Sequence, residues 1–273
     1  MPLAAWWLRS PQTASSCRVL QGPVSLPDLP EASGLALSRR TPGVVWAHND
    51  SGFEPILFAL DASGAVRGRV RLPVALRDWE DLSAAPCQAG DCLYIADIGD
   101  NGFSRRSVAI YRVPEPSPND TQTARPEPFR AVYADGRHNG EAAFVLDDRL
   151  FVITRDRSGG LYRSTARLGS GGDLMLERIG EVDLVVVSDA EASPDGAFVA
   201  VRNDDEAVLY RSEDLVRGAA IPRMRVALGG LGEPQGEGVA VDASGTLYLA
   251  SEGRPWNRGG SFIALRCALP DEL

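Results

Sequence analysis

Glu31-Ala32-Ser33-Gly34-Leu35-Ala36 opens the first of five similar segments, each an acidic phrase followed by apolar stretches and a polar loop. The glutamates of the five phrases are Glu31, Glu80, Glu141, Glu191 and Glu237. They are spaced by 49, 61, 50 and 46 residues, which is close to the period of about 40 to 50 residues that is typical of a four-stranded propeller blade. The repeat therefore predicts an all-β chain folded as a β-propeller.

Apolar runs separated by turn residues predict four strands in each segment. In the first segment they are Gly34–Ser38, Val44–His48, Ile56–Leu60 and Val66–Leu72. The fifth segment has no fourth strand before the chain ends, and Cys17–Val24 is placed to supply it. We predict a five-bladed propeller closed by this N-terminal strand. The alternative, a six-bladed ring, would need four more strands within the 61-residue segment, which is too short for them.

The domain prediction follows from this closure. Residues 17–273 form a single propeller domain, and residues 1–16 are expected to be a disordered leader or tail.

The four cysteines fit two disulfide bonds in this arrangement. Cys17 and Cys267 would lie on neighbouring strands at the seam of the ring, and Cys87 and Cys92 flank a turn in the second blade. Disulfides indicate an oxidising compartment, so we expect a secreted or periplasmic protein. Four free thiols in the cytosol are the alternative.

Composition excludes several partners. The net charge is −9, and all 28 basic residues are arginines, so the chain has no basic stripe for nucleic acid or an anionic membrane. No run of about 18 apolar residues predicts a membrane span. The absence of lysine also excludes Schiff-base chemistry. We expect a monomer whose partner is a small molecule or a glycan.

The acidic phrases and the polar loops should share one face of the propeller. The strands nearest the axis begin at the phrases, so their carboxylates would converge at the mouth of the central channel. Crowded oxygen ligands favour Ca²⁺, with Mg²⁺ as the alternative. The candidate metal ligands are Glu31, Asn49, Asp78, Glu80, Asp100, Glu141, Glu191 and Glu237. The alternative is that these glutamates accept backbone amides between blades or pair with arginines.

Other side chains on this face are candidates for catalysis or ligand binding. We predict that Glu80 or Glu141 acts as a general base with help from His48. Arg155 and Arg202 could contact an anion, and Trp79 could stack on a ring, with packing in the core or between blades as its alternative use.

Four motifs resemble a largely uncharacterised family of bacterial secreted β-propellers. They are Ala32-Ser33-Gly34-Leu35-Ala36, His48-Asn49-Asp50-Ser51-Gly52, Asp78-Trp79-Glu80-Asp81 and Asp97-Ile98-Gly99-Asp100-Asn101. More distantly, the layout is similar to β-propeller phytases and gluconolactonase-like proteins, which use a metal at the channel mouth. The lysines expected around a phytase's phosphate are absent, so the resemblance does not extend to phytase activity.

Two functions fit these features. One is a Ca²⁺-dependent hydrolase of an ester, lactone or phosphoester, in which the cation polarises the substrate. The other is a non-catalytic module that binds a ligand, glycan or protein on the same face. The fold does not choose between them, and whether the chain is an enzyme stays open.

Overall fold

The computed structural model describes residues 17–156, 158–253 and 259–269. This part of the chain contains twenty strands and one helical turn. The predicted leader, residues 1–16, lies outside the described residues. The strands are β1 (Cys17–Leu26), β2 (Ala32–Leu37), β3 (Val44–Asn49), β4 (Ile56–Asp61), β5 (Val66–Arg71), β6 (Asp81–Cys87), β7 (Gly90–Asp97), β8 (Val108–Pro114), β9 (Glu127–Tyr133), β10 (Gly140–Leu146), β11 (Arg149–Thr154), β12 (Gly160–Ser164), β13 (Leu174–Glu181), β14 (Asp189–Ala192), β15 (Phe198–Arg202), β16 (Glu206–Arg211), β17 (Pro222–Ala227), β18 (Gln235–Val241), β19 (Thr246–Glu252) and β20 (Gly260–Cys267). Helix α1 (Ser212–Leu215) follows β16.

The strands pair as antiparallel units of four, and these units form a closed ring. Blades 1 to 4 are β2–β5, β6–β9, β10–β13 and β14–β17, while blade 5 is β18–β20 with β1 added at its outer edge. The innermost strands, β2, β6, β10, β14 and β18, each contact the next, and β18 contacts β2. The outer strands β9 and β13 also pair in parallel and join blades 2 and 3 into one eight-stranded sheet. The predicted all-β propeller fold is therefore confirmed, and the described strands group into five four-stranded units.

The N-terminal strand closes the ring as the sequence predicts. Strand β1 runs antiparallel to β20, and Cys17 lies opposite Cys267 in their register. These two cysteines form one disulfide, and Cys87 and Cys92 form the other across the turn between β6 and β7. Both predicted disulfides are confirmed.

The apolar core is divided among the five interfaces between blades. Trp46 and Trp79 pack between blades 1 and 2, and Phe144 and Phe151 stack with ring centroids 4.9 Å apart between blades 3 and 4. Each blade therefore buries both faces of its sheet against its neighbours, which explains why its central strands are almost continuously apolar.

The segment between β8 and β9 accounts for the longest spacing of the repeat. Its backbone pairs with blade 1, where Arg71 N donates to Thr121 O at 3.1 Å and Thr123 N donates to Arg71 O at 2.9 Å. Glu115, only 2% exposed, accepts hydrogen bonds from Trp46 Nε1 at 2.9 Å and from the backbone N–H of Arg39. The extra residues thus tie blade 2 to blade 1.

Carboxyl side chains along the axis satisfy the backbone of the innermost strands. Asp81 Oδ2 accepts Ala143 N of blade 3 at 2.6 Å. Asp189 Oδ2 accepts the N–H groups of Leu35 in blade 1 and Val239 in blade 5. These strands approach closely at Gly34, where a Cβ atom would lie 2.6 Å from Asp81 Oδ1. Glu191 Oε1 of blade 4 accepts Ala84 N of blade 2 at 2.9 Å, so side chains of blades 2 and 4 connect all five inner strands.

Among the described residues, no helix is long and apolar enough to cross a bilayer.

We expect the Cys17–Cys267 disulfide to carry much of the stability of the ring, because it bridges residues 250 positions apart. In the chain-entropy model a loop of this length contributes about 5 kcal/mol, against about 2 kcal/mol for the Cys87–Cys92 loop. Replacing Cys17 and Cys267 by serine should lower the melting temperature by about 10 °C or more, measured by thermal unfolding monitored by circular dichroism. The Cys87→Ser, Cys92→Ser pair is the matched control, and an equal or larger effect there would contradict this role of the seam.

Candidate functional site at the channel mouth

Three carboxyl groups converge where the innermost strands of blades 1 and 2 meet the channel mouth. Asp50 follows the end of β3, and Asp78 and Glu80 precede β6. Their nearest oxygens all lie within 4.8 Å of one another, so this cluster could hold a metal ion. Gly99 leaves space for it, because a Cβ atom there would lie 2.0 Å from Glu80 Oε1 and 2.5 Å from Asp78 Oδ2. We call Asp50, Asp78 and Glu80 the mouth cluster.

Burial and mutual repulsion disfavour the state in which all three carboxyl groups of the mouth cluster are ionised. Burial raises the pKa of Glu80 to about 10, and the neighbouring carboxylates Glu141, Asp50 and Asp78 add to the shift. Burial also raises the pKa of Asp50. Without a cation the cluster therefore holds a proton on Glu80 at neutral pH, whereas a bound cation would compensate the charge directly.

Further acidic side chains surround the cluster at the rim. Glu141, 3% exposed, is paired with Arg155 Nη1 at 2.9 Å and accepts Asn139 Nδ2 at 2.5 Å. Burial raises the pKa of both Glu237 and Glu252 to about 7. For Glu252, burial is the largest cause of the raised pKa, and the negative charges of Asp50 and Glu31 add to it. Arg155 is the basic group that faces this set, and its pKa is raised by Glu141, Glu237 and Glu80, against the effect of burial.

Asp50 and Glu252 were missed as site residues by sequence reasoning. Both lie at the ends of second strands, at the start of the polar loops, and not in the acidic phrases. A signal was available, since the loops after the second strands were predicted to share the face of the phrases. Counting carboxylates in both kinds of loop would have found them.

Other predicted metal ligands are not members of the mouth cluster. Glu191 is deeper in the channel, where its Oε1 accepts Ala84 N at 2.9 Å. Glu31 is exposed, although its backbone O accepts Asp50 N at 2.8 Å. Asn49 holds the neighbouring loop, because its Oδ1 accepts Glu31 N and its Nδ2 donates to Asp28 O. Asp100 accepts the N–H groups of Ser104 and Arg105, both at 2.8 Å, and so fixes its own loop. For Glu191, the alternative role of accepting a backbone amide between blades is the one that the structure shows.

His48 and Trp79 form a buried stack between blades 1 and 2, with ring centroids 4.1 Å apart. Trp79 is 1% exposed and His48 is fully buried. His48 Nδ1 lies 2.9 Å from Asn49 O, and burial lowers the pKa of the imidazole to about 4. The ring is therefore neutral at physiological pH, with Nδ1–H as the donor.

The two predicted anion-binding arginines have different environments. Arg202 is fully buried, and its guanidinium donates to both oxygens of Glu233 at 3.1 and 3.0 Å and to Gly238 O at 3.1 Å. The side chain of Arg155 is 37% exposed beside the mouth. Arg155 therefore has accessible surface for a ligand, and Arg202 has none.

Comparisons with known proteins support the fold. No protein-family model and no curated sequence matches the chain. Solved structures with a similar fold include the PQQ-bound aldose sugar dehydrogenase of Streptomyces coelicolor, with 13% identity, a TM-score of 0.54 and coverage of 95% of this chain and 100% of that one. A glutaminyl cyclase from Myxococcus xanthus has 13% identity and a TM-score of 0.54, over 93% of this chain and 97% of that one. A gluconolactonase from Xanthomonas campestris has 12% identity and a TM-score of 0.52, over 95% and 98%. At these identities the likeness establishes the propeller fold alone.

The buried Glu191 generates a prediction about pH. Burial raises its pKa well above the ordinary range, so the folded protein keeps a proton that the unfolded chain releases above about pH 4.3. The contribution of this group to stability is therefore full at low pH and is lost as pH rises. Glu191→Gln should stabilise the protein relative to wild type, by a margin that grows by up to about 1.4 kcal/mol per pH unit from pH 5 to pH 8.

Urea denaturation at pH 5, 6.5 and 8 in EDTA measures this margin. The exposed Glu177→Gln, on an outer strand, is the matched control and should show no such trend. A margin that is constant or that shrinks with rising pH would show that Glu191 is ionised in the folded protein.

Proposed function

We propose that this propeller binds Ca²⁺ at the mouth cluster and uses it to hydrolyse an ester, lactone or phosphoester in an extracytoplasmic compartment. The observation that carries the proposal is the convergence of Asp50, Asp78 and Glu80 within 4.8 Å at a glycine-lined opening. Within the described residues no histidine or cysteine joins this cluster, and oxygen donors alone suit Ca²⁺. The two disulfides are compatible with an oxidising compartment.

The rim residues would then have distinct roles. A bound cation supplies a Lewis acid that polarises the substrate oxygen. Glu141 lies beside Glu80 and is the general base that we assign, since burial raises its pKa towards the range of a useful base. Arg155, already paired with Glu141 Oε2, could donate a second hydrogen bond to the substrate. We assign no catalytic role to His48, because its ring is enclosed between blades.

A non-catalytic module that binds a glycan or another ligand is the second candidate. It is favoured by the enclosure of His48, which was predicted to assist catalysis. The imidazole is fully buried and stacks on Trp79, so it cannot reach a substrate at the mouth.

Calcium should raise the melting temperature of EDTA-treated protein, because the folded state alone presents the mouth cluster. At a Ca²⁺ concentration 100 times the Kd the gain is about 2.7 kcal/mol, or roughly 5 to 10 °C for a chain of this size. Differential scanning fluorimetry with Ca²⁺ and Mg²⁺ measures it. Asp78→Asn and Glu80→Gln should abolish the shift, and Glu177→Gln should keep it. An unchanged melting temperature in Ca²⁺ would rule out the site.

Turnover separates the two candidate functions. Under the hydrolase proposal, a panel of nitrophenyl esters, lactones and phosphoesters should contain a substrate whose hydrolysis needs Ca²⁺. Glu141→Gln should then lower kcat by about 10² to 10⁴-fold while the calcium-induced melting shift persists. A calcium shift without turnover on any member of the panel would favour the binding module instead.

A further inference from the structure

A pocket of about 350 Å³ opens beside the mouth, between the loops of blades 2, 3 and 4. Phe103 and Val186 supply its apolar wall, and its polar lining consists of Asn101, His138, Asn139, Arg155 and Asp156. Arg155 belongs to both this pocket and the mouth, since it is paired with Glu141 at the rim. The pocket therefore adjoins the mouth cluster without sharing its carboxylates.

The apolar wall consists of two side chains held out into solvent by unusual backbone. Phe103 has φ +48° and Val186 has φ +53°, and their exposed fractions are 56% and 48%. The other non-glycine residues with positive φ in the described chain are Asp147 and Asp148, a residue type that tolerates this region. A bulky or β-branched residue in this conformation costs free energy, and such residues concentrate at ligand-binding sites.

The surrounding structure fixes this wall. Phe103 N donates to Asp100 O at 2.9 Å, and Phe103 O accepts Arg137 Nη1 at 3.1 Å. Next to Val186, Val185 O accepts Asn203 Nδ2 at 3.0 Å. Two apolar side chains are thus held in place at a conformational cost, and about half of each residue is left exposed by the described parts of the chain.

Asp156 is the acceptor in the polar lining, and its oxygens already accept hydrogen bonds from Thr154 Oγ1 and from the N–H groups of Ser158 and Gly160. The polar groups that remain for a ligand are mainly donors. Asn101 Oδ1 accepts Asn139 Nδ2 at 3.1 Å, which orients the amide so that its NH₂ group is the free end. Arg155 uses Nη1 for Glu141 and has further N–H groups. Because Glu141, Glu237 and Glu80 surround Arg155, a neutral oxygen acceptor suits it better than a carboxylate.

We propose that this pocket binds the apolar acyl or aryl group of a neutral carbonyl compound, with the carbonyl oxygen accepting from Arg155. Its assignment as the acyl subsite of an esterase or lactonase rests on the proposed function. The ligand class follows from the pocket itself, namely an aromatic or branched apolar arm against Phe103 and Val186 and a neutral carbonyl at the donor end.

Phenylacetamide is a suitable probe, because it carries a ring and a neutral carbonyl and resists hydrolysis. Ligand-observed NMR on EDTA-treated protein should show binding with a Kd of about 1 mM, and acetamide, which lacks the ring, should bind at least tenfold more weakly. Phenylacetate, isosteric but charged, should bind more weakly than phenylacetamide. If acetamide binds as well as phenylacetamide, or phenylacetate binds more tightly, the proposal is wrong.

Phe103→Asn removes the aromatic ring of the wall and should preserve the fold, because asparagine tolerates positive φ. The variant should keep or raise the melting temperature and weaken phenylacetamide binding about tenfold. Phe53→Asn is the matched control, since Phe53 is also an exposed phenylalanine, 42% accessible, in a loop after a second strand. It should leave binding unchanged. Equal effects of the two substitutions would overturn the pocket.

Failure here is distinguishable from failure of the proposed function. The binding assay contains no free divalent cation, because EDTA chelates it, and it needs no turnover. Loss of the calcium shift or of ester hydrolysis would remove the esterase assignment and leave the pocket standing, whereas a failed probe with an intact calcium shift would remove only the pocket.

Discussion

The inner edge of each blade presents unpaired backbone N–H groups towards the axis, and the rest of this structure depends on how these groups are satisfied. A strand that is hydrogen bonded on one side only must find other partners when it is buried. Here Asp81, Asp189 and Glu191 supply them, and Ser83 Oγ adds an acceptor for Val145 N at 3.2 Å. The main structural role of these buried acidic residues is therefore to hold the five inner strands together by accepting backbone N–H groups.

The same constraint divides the carboxyl groups into two sets by depth. Those inside the channel accept backbone amides from neighbouring or opposite blades, and burial raises their pKa values, so that they resemble neutral hydrogen-bonding groups. At the mouth, oxygens of Asp50, Asp78 and Glu80 lie within 4.8 Å of one another, and Asp50 also accepts the backbone N–H of Ser51 in its own loop. The chemistry of the site follows from this position, because three carboxyl groups crowd together there.

The loops around the mouth combine rigidity with exposed binding surface. The side chains of Asp100, Asn49 and Asn203 form hydrogen bonds with backbone groups of their own or adjacent loops, and these bonds fix the loops in place. This is why several polar residues that look like ligands in the sequence turn out to be supports. It is also what allows Phe103 and Val186 to remain exposed in left-handed backbone beside Arg155.

The sequence by itself determined the repeating four-stranded unit, the strand positions, the N-terminal closure and both disulfides, because each blade is a local unit whose apolar runs and turn residues repeat at a regular interval. It also indicated the face of the site, since strand order alone decides where the loops emerge. Which carboxylates meet was decided only by the tertiary structure. Glu80 and Glu191 occupy similar phrases, but small differences in where each inner strand starts place one at the mouth and the other deep in the channel. Asp50, distant from Asp78 in the chain, joins the cluster because blades 1 and 2 are neighbours in the ring. Burial of His48, Trp79 and Arg202 was likewise set by packing between blades, which no single strand's pattern contains.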